Sequence, residues 1–151
     1  MRRKSFFAKP SERNNRKTLI VSEYFQEWAF VTLGPASKPR YSRIGYVELF
    51  SGPGEYGDGS PTTPMTIAQI ALTNERIQSS LIMRLNDEDN VAFEHLQPLV
   101  DKVPFSELAF SPWISNASAS LSLLEAFWQK YPIPTLTFLD PFGYRGVTLA
   151  M

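Results

Sequence analysis

Ile44-Gly45-Tyr46-Val47-Glu48-Leu49-Phe50-Ser51-Gly52-Pro53-Gly54 decides how the rest of the chain is read. Branched and aromatic residues in a short apolar run are the mark of a buried strand. The run takes in an acid, Glu48, and ends in a glycine turn. Glycine lets a backbone turn sharply and pass close to a ligand, where a Cβ would intrude. An acid at a strand end accepts hydrogen bonds from a bound cation or hydroxyl. Together these predict a strand that delivers a nucleotide-like ligand to its carboxyl end.

A second signal of the same kind lies near the end of the chain. Thr135-Leu136-Thr137-Phe138-Leu139 reads as a strand that runs into Asp140-Pro141-Phe142-Gly143. In open α/β sheets, ligands bind outside the carboxyl ends of strands, where strand order reverses. Two polar, rigid loops at two such ends are expected to form two walls of one crevice.

Between and around these strands, hydrophobic spacing predicts alternating elements. Val21, Tyr24, Phe25, Trp28 and Val31 recur at helical spacing from Lys17 to Leu33, and Gly34-Pro35 stops that helix. Thr63 is the expected cap of a helix with Pro64 in its first turn. Leu81–Leu85 reads as the second strand, ending in Asn86-Asp87-Glu88-Asp89, and a helix follows over Asn90–Val100. Leu108-Ala109-Phe110 reads as a short third strand. A helix capped by Asn116 or Ser118 then carries Leu121, Leu124, Phe127 and Trp128 inward. Four strand–helix alternations predict an α/β fold, a parallel Rossmann-like sheet with flanking helices. Residues 17–151 read as the N-terminal part of a larger domain whose C-terminal strands are missing.

Composition narrows the classes. The 151 residues carry a net charge of zero, but residues 1–43 hold ten Lys or Arg against three acids. Residues 1–16 read as a disordered basic arm, suited to nucleic acid phosphates because clustered cations release counterions there. There is no cysteine, which excludes disulfides and thiolate metal sites. No apolar run reaches the ~20 residues that span a bilayer, and no secretory signal is apparent. A cytoplasmic protein with no membrane and no metal partner is expected.

Gly52-Pro53-Gly54-Glu55-Tyr56-Gly57 matches the dinucleotide pattern G-x-G-x-x-G, so a nicotinamide oxidoreductase is one reading. In that fold the third glycine lies in a helix against the strand, whereas here Asp58-Gly59-Ser60-Pro61 continues a loop. S-adenosylmethionine suits the residues better. Glu48 is placed for its ammonium, and Phe50, Ser51, Gly52 and Gly54 let it lie close to backbone. Asp87, with Asn86 and Glu88 as alternates, is the expected acceptor for its ribose hydroxyls. Ser115 and Asn116 are the polar groups expected at its adenine edge. Asp87–Asp89 also fits a solvated helix start, and Tyr56 either covers the cofactor or pins its loop. His95 reads as a surface residue.

Asp140-Pro141-Phe142-Gly143 resembles the D-P-P-Y element of methyltransferases that act on exocyclic amines. There the acid and a carbonyl beside the proline hold the amine while an aromatic ring stacks on the flipped base. Here Phe142 takes the second-proline position and Gly143 the aromatic one. Asp140, Pro141 and Phe142 are thus the expected catalytic residues. More broadly, K-T-L-I-V-S-E-Y-F-Q-E-W at 17–28, Y-V-E-L-F-S-G-P-G-E-Y-G-D-G-S-P at 46–61 and F-L-D-P-F-G at 138–143 resemble the three-Cys-motif partner family, TcmP. The resemblance spans nearly all of residues 17–146, with Glu48 where such proteins usually carry Asp. It implies a class I, methyltransferase-like Rossmann fold, S-adenosylmethionine as cofactor, a chain considerably longer than this one, and a partner protein carrying three cysteines. A non-catalytic module that binds such a partner is the alternative.

Overall fold

Apolar strands with no polar face can only be satisfied between two layers of helix, and that is where the chain puts them. The computed structural model describes residues 9–140. Its elements are α1 (Glu12–Leu33), β1 (Ile44–Glu48), α2 (Thr63–Leu72), α3 (Glu75–Ser80), β2 (Leu81–Asn86) and α4 (Asn90–Leu99), followed by a 3-10 turn (Phe105–Glu107), β3 (Trp113–Ser115), α5 (Leu121–Lys130) and β4 (Thr135–Phe138). The four strands form one all-parallel sheet in the order β3-β2-β1-β4. Every residue of β1 and β2 is buried. This is an α/β architecture compatible with a Rossmann-like fold.

Strand alternation divides the core in two. Ile44, Tyr46, Leu81, Met83 and Leu85 face the larger cluster, where Phe25, Ala29 and Leu33 of α1 meet Ile67, Ala68 and Ala71 of α2 and Leu96 and Leu99 of α4. Val47, Leu49 and Ile82 face the opposite way, onto Leu124 and Phe127 of α5. The order of strands reverses at β1: the chain moves outward through β2 and β3, then returns to place β4 on the other side. The gap between the carboxyl ends of β1 and β4 is therefore the switch point of this sheet.

Several sequence expectations shift. Helix α1 begins at Glu12, so residues 12–16 are helical and not part of a disordered arm. Ser11 caps the helix by accepting from the Asn14 N–H at 3.1 Å, and Glu12 pairs with Arg16 one turn on. The buried face of α1 is Ser22, Phe25, Ala29 and Leu33, which leaves Tyr24 and Val31 exposed. Similarly, α5 buries Leu124 and Phe127 but exposes Trp128. The third strand is Trp113–Ser115, not Leu108–Phe110. Phe105 and Leu108 are needed in the larger cluster, and Ala109 donates to the Gln78 carbonyl, so that segment closes the core beneath the sheet. Helix α5 starts from Ser120, so neither Asn116 nor Ser118 caps it. The six-residue α3, mostly polar, went unpredicted. It is made by Asn74, whose side chain accepts from the Arg76 and Ile77 N–H groups.

Candidate functional site

Three carboxylates arrive at the carboxyl edge of the sheet from three adjacent strands: Glu48 from β1, Asp87 just after β2 and Asp140 just after β4. Glu48 shares a face with Tyr46, two residues earlier, and the Tyr46 hydroxyl donates to Glu48 Oε2 at 2.9 Å. At 3% exposure Glu48 has lost nearly all its hydration. Burial, with Asp140 and Asp87 adding their negative charge, holds its carboxyl well above the usual range against the lowering effect of the Tyr46 bond. Tyr46 is its one hydrogen-bond partner among the described residues. A carboxyl held this way binds a proton or awaits a cation.

Asp87 works as a clamp. Oδ2 accepts from the Gly52 N–H at 2.8 Å, and Oδ1 from the Asp89 N–H at 2.9 Å. The first bond ties the glycine turn after β1 to the end of β2. A carboxylate has about four lone-pair directions, so capacity remains for a ligand. Burial raises its pKa, and the two N–H bonds work against the rise.

Asn86 is not a free acceptor, as the sequence reading allowed. It is fully buried and its amide is spent. Nδ2 donates to the Leu49 and Ala117 carbonyls, and Oδ1 accepts from the Ser115 hydroxyl and the Ala117 N–H. Ser115 is thereby also committed. Asn116 donates from Nδ2 to the Asp87 carbonyl at 2.9 Å, which holds the loop after β3 beside Asp87 with the remaining amide positions exposed.

The glycine turn divides its work. Gly52 has φ +72°, and a Cβ there would meet nothing within 4 Å, so the space above it is open. Gly54, at φ +87°, is different: a Cβ would come within 2.8 Å of Leu99 Cδ1 and 3.0 Å of Leu96 Cδ1. The positive φ is what calls for glycine here, since the Leu99 and Leu96 methyls are ends of flexible side chains that can shift. Thr62 anchors the same residue, donating from its N–H and its hydroxyl to the Gly54 carbonyl. Ser51 is buried, and its N–H donates to the Asn86 carbonyl, while its Oγ has no partner. Phe50 packs toward α5, on the opposite side of the sheet from Tyr46.

Helix α1 closes over this edge. Lys17 Nζ lies 2.7 Å from Asp140 Oδ1, and the Thr18 hydroxyl lies 2.9 Å from that of Thr63. The Asn14 side chain neighbours the Tyr56 hydroxyl, whose pKa is raised chiefly by burial and further by Asp140 and Glu48. Tyr56 thus belongs to the acid-lined edge. Pro141 and Phe142 lie outside the described residues. His95 also contributes, since Nδ1 is 3.0 Å from the Pro53 carbonyl. A carbonyl only accepts, so Nδ1 carries the proton.

No family model, curated protein or solved structure matches this chain. Among the described residues no group of three or more His, Asp or Glu is placed to hold a metal, so the three carboxylates do not form a shared cation cage. Nor is any described helix long and apolar enough to cross a membrane.

Proposed function

We propose that this chain binds S-adenosylmethionine at the carboxyl edge of β1 and β2 and is a methyltransferase-like protein of the three-Cys-motif partner type. One observation carries the reading: Glu48 is buried at the switch point, and no cation among the described residues pairs with it. A ligand with an ammonium answers that need, and the amino acid end of the cofactor supplies one. Asp87 is placed for the ribose hydroxyls with its two unused lone-pair directions, Gly52 offers unobstructed backbone, and Asn116 lines the neighbouring loop. When bound, the cofactor supplies an electrophilic sulfonium methyl.

The chain's own residues would then position a nucleophile. Asp140, on the far wall, accepts a hydrogen bond from a target amine and orients its lone pair, while Tyr56 and α1 exclude water. Positioning of this kind accounts for much of the rate in a direct displacement. Nucleic acid is the proposed substrate class, from the basic N-terminal segment and the D-P-F-G loop.

Calorimetry with S-adenosylhomocysteine and with NAD tests the reading. The first is expected to bind and the second not. Glu48→Gln, which keeps the shape and removes the charge, is expected to weaken binding at least ten-fold, about 1.4 kcal/mol. Equal binding by Glu48→Gln would remove the ammonium contact, and binding of NAD alone would replace the cofactor class.

A further inference from the structure

The second face of the sheet carries a feature that the crevice does not use. Arg84, in the middle of the sheet on β2, is 2% exposed. Its Nη1 donates to the carbonyls of Leu85 at 3.1 Å and Trp113 at 3.3 Å. Its Nε is shut off from water and makes no hydrogen bond. Among the described residues no carboxylate pairs with it. The Nε–Nη2 edge, which grips an oxyanion bidentately, is thus unused. A buried cation with half its donors idle is costly unless a ligand takes them up.

The surroundings extend the pattern. The Arg84 guanidinium lies 4.2 Å from the centre of the Trp113 ring, and Lys130 Nζ lies 5.2 Å from the same ring and 5.5 Å from that of Tyr131. Arg43 lies 4.9 Å from the Phe110 ring. Phe110, Trp113 and Tyr131 all border the smaller core cluster, so the three cations lie on the α5 side of the sheet. Arg43 and Lys130 are exposed, and neither is paired with an acid among the described residues. Cations held against half-buried rings, without counter-charges, serve strands that offer phosphates and bases together.

We propose that Arg84, Lys130 and Arg43, with Phe110 and Trp113, form a phosphate-binding surface for single-stranded nucleic acid. Arg84, packed against the Trp113 ring, adds its unpaired positive charge to the surface from within, and Lys130 leaves the outside of that ring to meet a phosphate. Trp113, uncovered by that movement, stacks on a base. Arg43 takes a further phosphate beside Phe110. This surface does not depend on the cofactor reading, because it lies on the opposite side of the sheet from Glu48 and Tyr46.

The test is fluorescence anisotropy of a labelled, mixed-sequence single-stranded oligonucleotide with the full chain, from about 50 to 200 mM salt. Lys130→Gln and Arg43→Gln, both at exposed side chains, are each expected to weaken binding about five-fold and to lower the log–log salt slope by about 0.7. Arg84→Met is expected to weaken it more, with circular dichroism as the check on folding. Unchanged affinity and slope in both surface variants overturn the proposal whatever Arg84→Met does, as does failure of the natural chain to bind at the lowest salt. Calorimetry with pyrophosphate separates the sources. Pyrophosphate binding that Lys130→Gln abolishes, without oligonucleotide binding, would leave an oxyanion site and overturn its assignment to nucleic acid.

Discussion

Asn86 shows how much one side chain can hold at this sheet edge. Its four amide bonds join the end of β1, through the Leu49 carbonyl, to the end of β3 and the loop beyond it. Asn86→Ala would leave buried carbonyls and an N–H unpaired, each costing about 1–3 kcal/mol. We expect a loss of about 3 kcal/mol in urea unfolding, and Asn86→Asp to lose comparably because it lacks the two donors. A loss below about 1 kcal/mol would mean that water replaces these bonds. The two site glycines separate in the same way. Gly54→Val should destabilise the loop, since a β-branched residue is strained at a positive φ and would also push the Leu96 and Leu99 side chains aside. Gly52→Ala meets no atoms, so only backbone strain of about 1 kcal/mol applies, and a folded variant should result. The melting temperatures of the two variants check this directly. For Gly54, then, loss of ligand binding would report on folding before it reported on contact.

At the scale of elements, α1 is fastened over the carboxyl edge by its first turns and at its far end by Arg76, which donates to the Gly34 and Leu33 carbonyls. The Lys17–Asp140 pair is about one-third exposed on both sides, so it contributes at most about 1 kcal/mol. Lys17→Met is therefore expected to leave the melting temperature within a few degrees. It should instead speed hydrogen exchange in residues 12–18, where opening is local, and exchange that stays slow there would show that the pair does not hold the helix down. β1 and β2 were legible because their apolar runs are buried on both sides, and β4 from its apolar run although it is only half-buried. α2 was legible from Pro64 in its first turn, although Thr62 and not Thr63 precedes it as N-cap and makes no side-chain cap bond. α4 was legible from its spacing after the acids at 87–89. The face of α1 was misread because Tyr24 and Val31 keep helical spacing while lying outside the core. Spacing cannot tell an inner stripe from an outer one. β3 was misplaced because Leu108 and Phe110 are as apolar as a strand, yet each fills a different core cluster. At the candidate site, the positions of Glu48 and Asp87 at their strand ends were readable. The roles of Asn86, His95 and Lys17 were not, since each depends on a partner more than 30 residues away.

Across the whole molecule, the buried acids set an unusual dependence of stability on pH. Glu48 and Asp87 both have raised pKa values, chiefly from burial. Between their ordinary values near 4 and their raised values, the folded chain binds more protons than the unfolded one. Stability therefore falls as pH rises through that window, the reverse of acid denaturation driven by paired carboxylates. The slope contributed by one such group approaches about 1.4 kcal/mol per pH unit at its steepest. Asp58 acts the other way, its pKa lowered by Ser60, but it is fully exposed and its effect is small. Glu48 lies deeper than Asp87 and dominates the balance. Thermal melts of the ligand-free chain are thus expected to peak on the acid side of neutrality. Glu48→Gln, which cannot ionise and keeps an acceptor for the Tyr46 hydroxyl, should flatten the decline and raise the melting temperature at pH 8. A cationic ligand over Glu48 should flatten it too, because it replaces the proton that the carboxyl otherwise holds, and its binding should release a proportion of a proton measurable by calorimetry in buffers of different ionisation enthalpy. Parallel pH profiles for the natural chain and Glu48→Gln would show that Glu48 is neutralised by something other than a proton, and with that the case for an awaited cation would go.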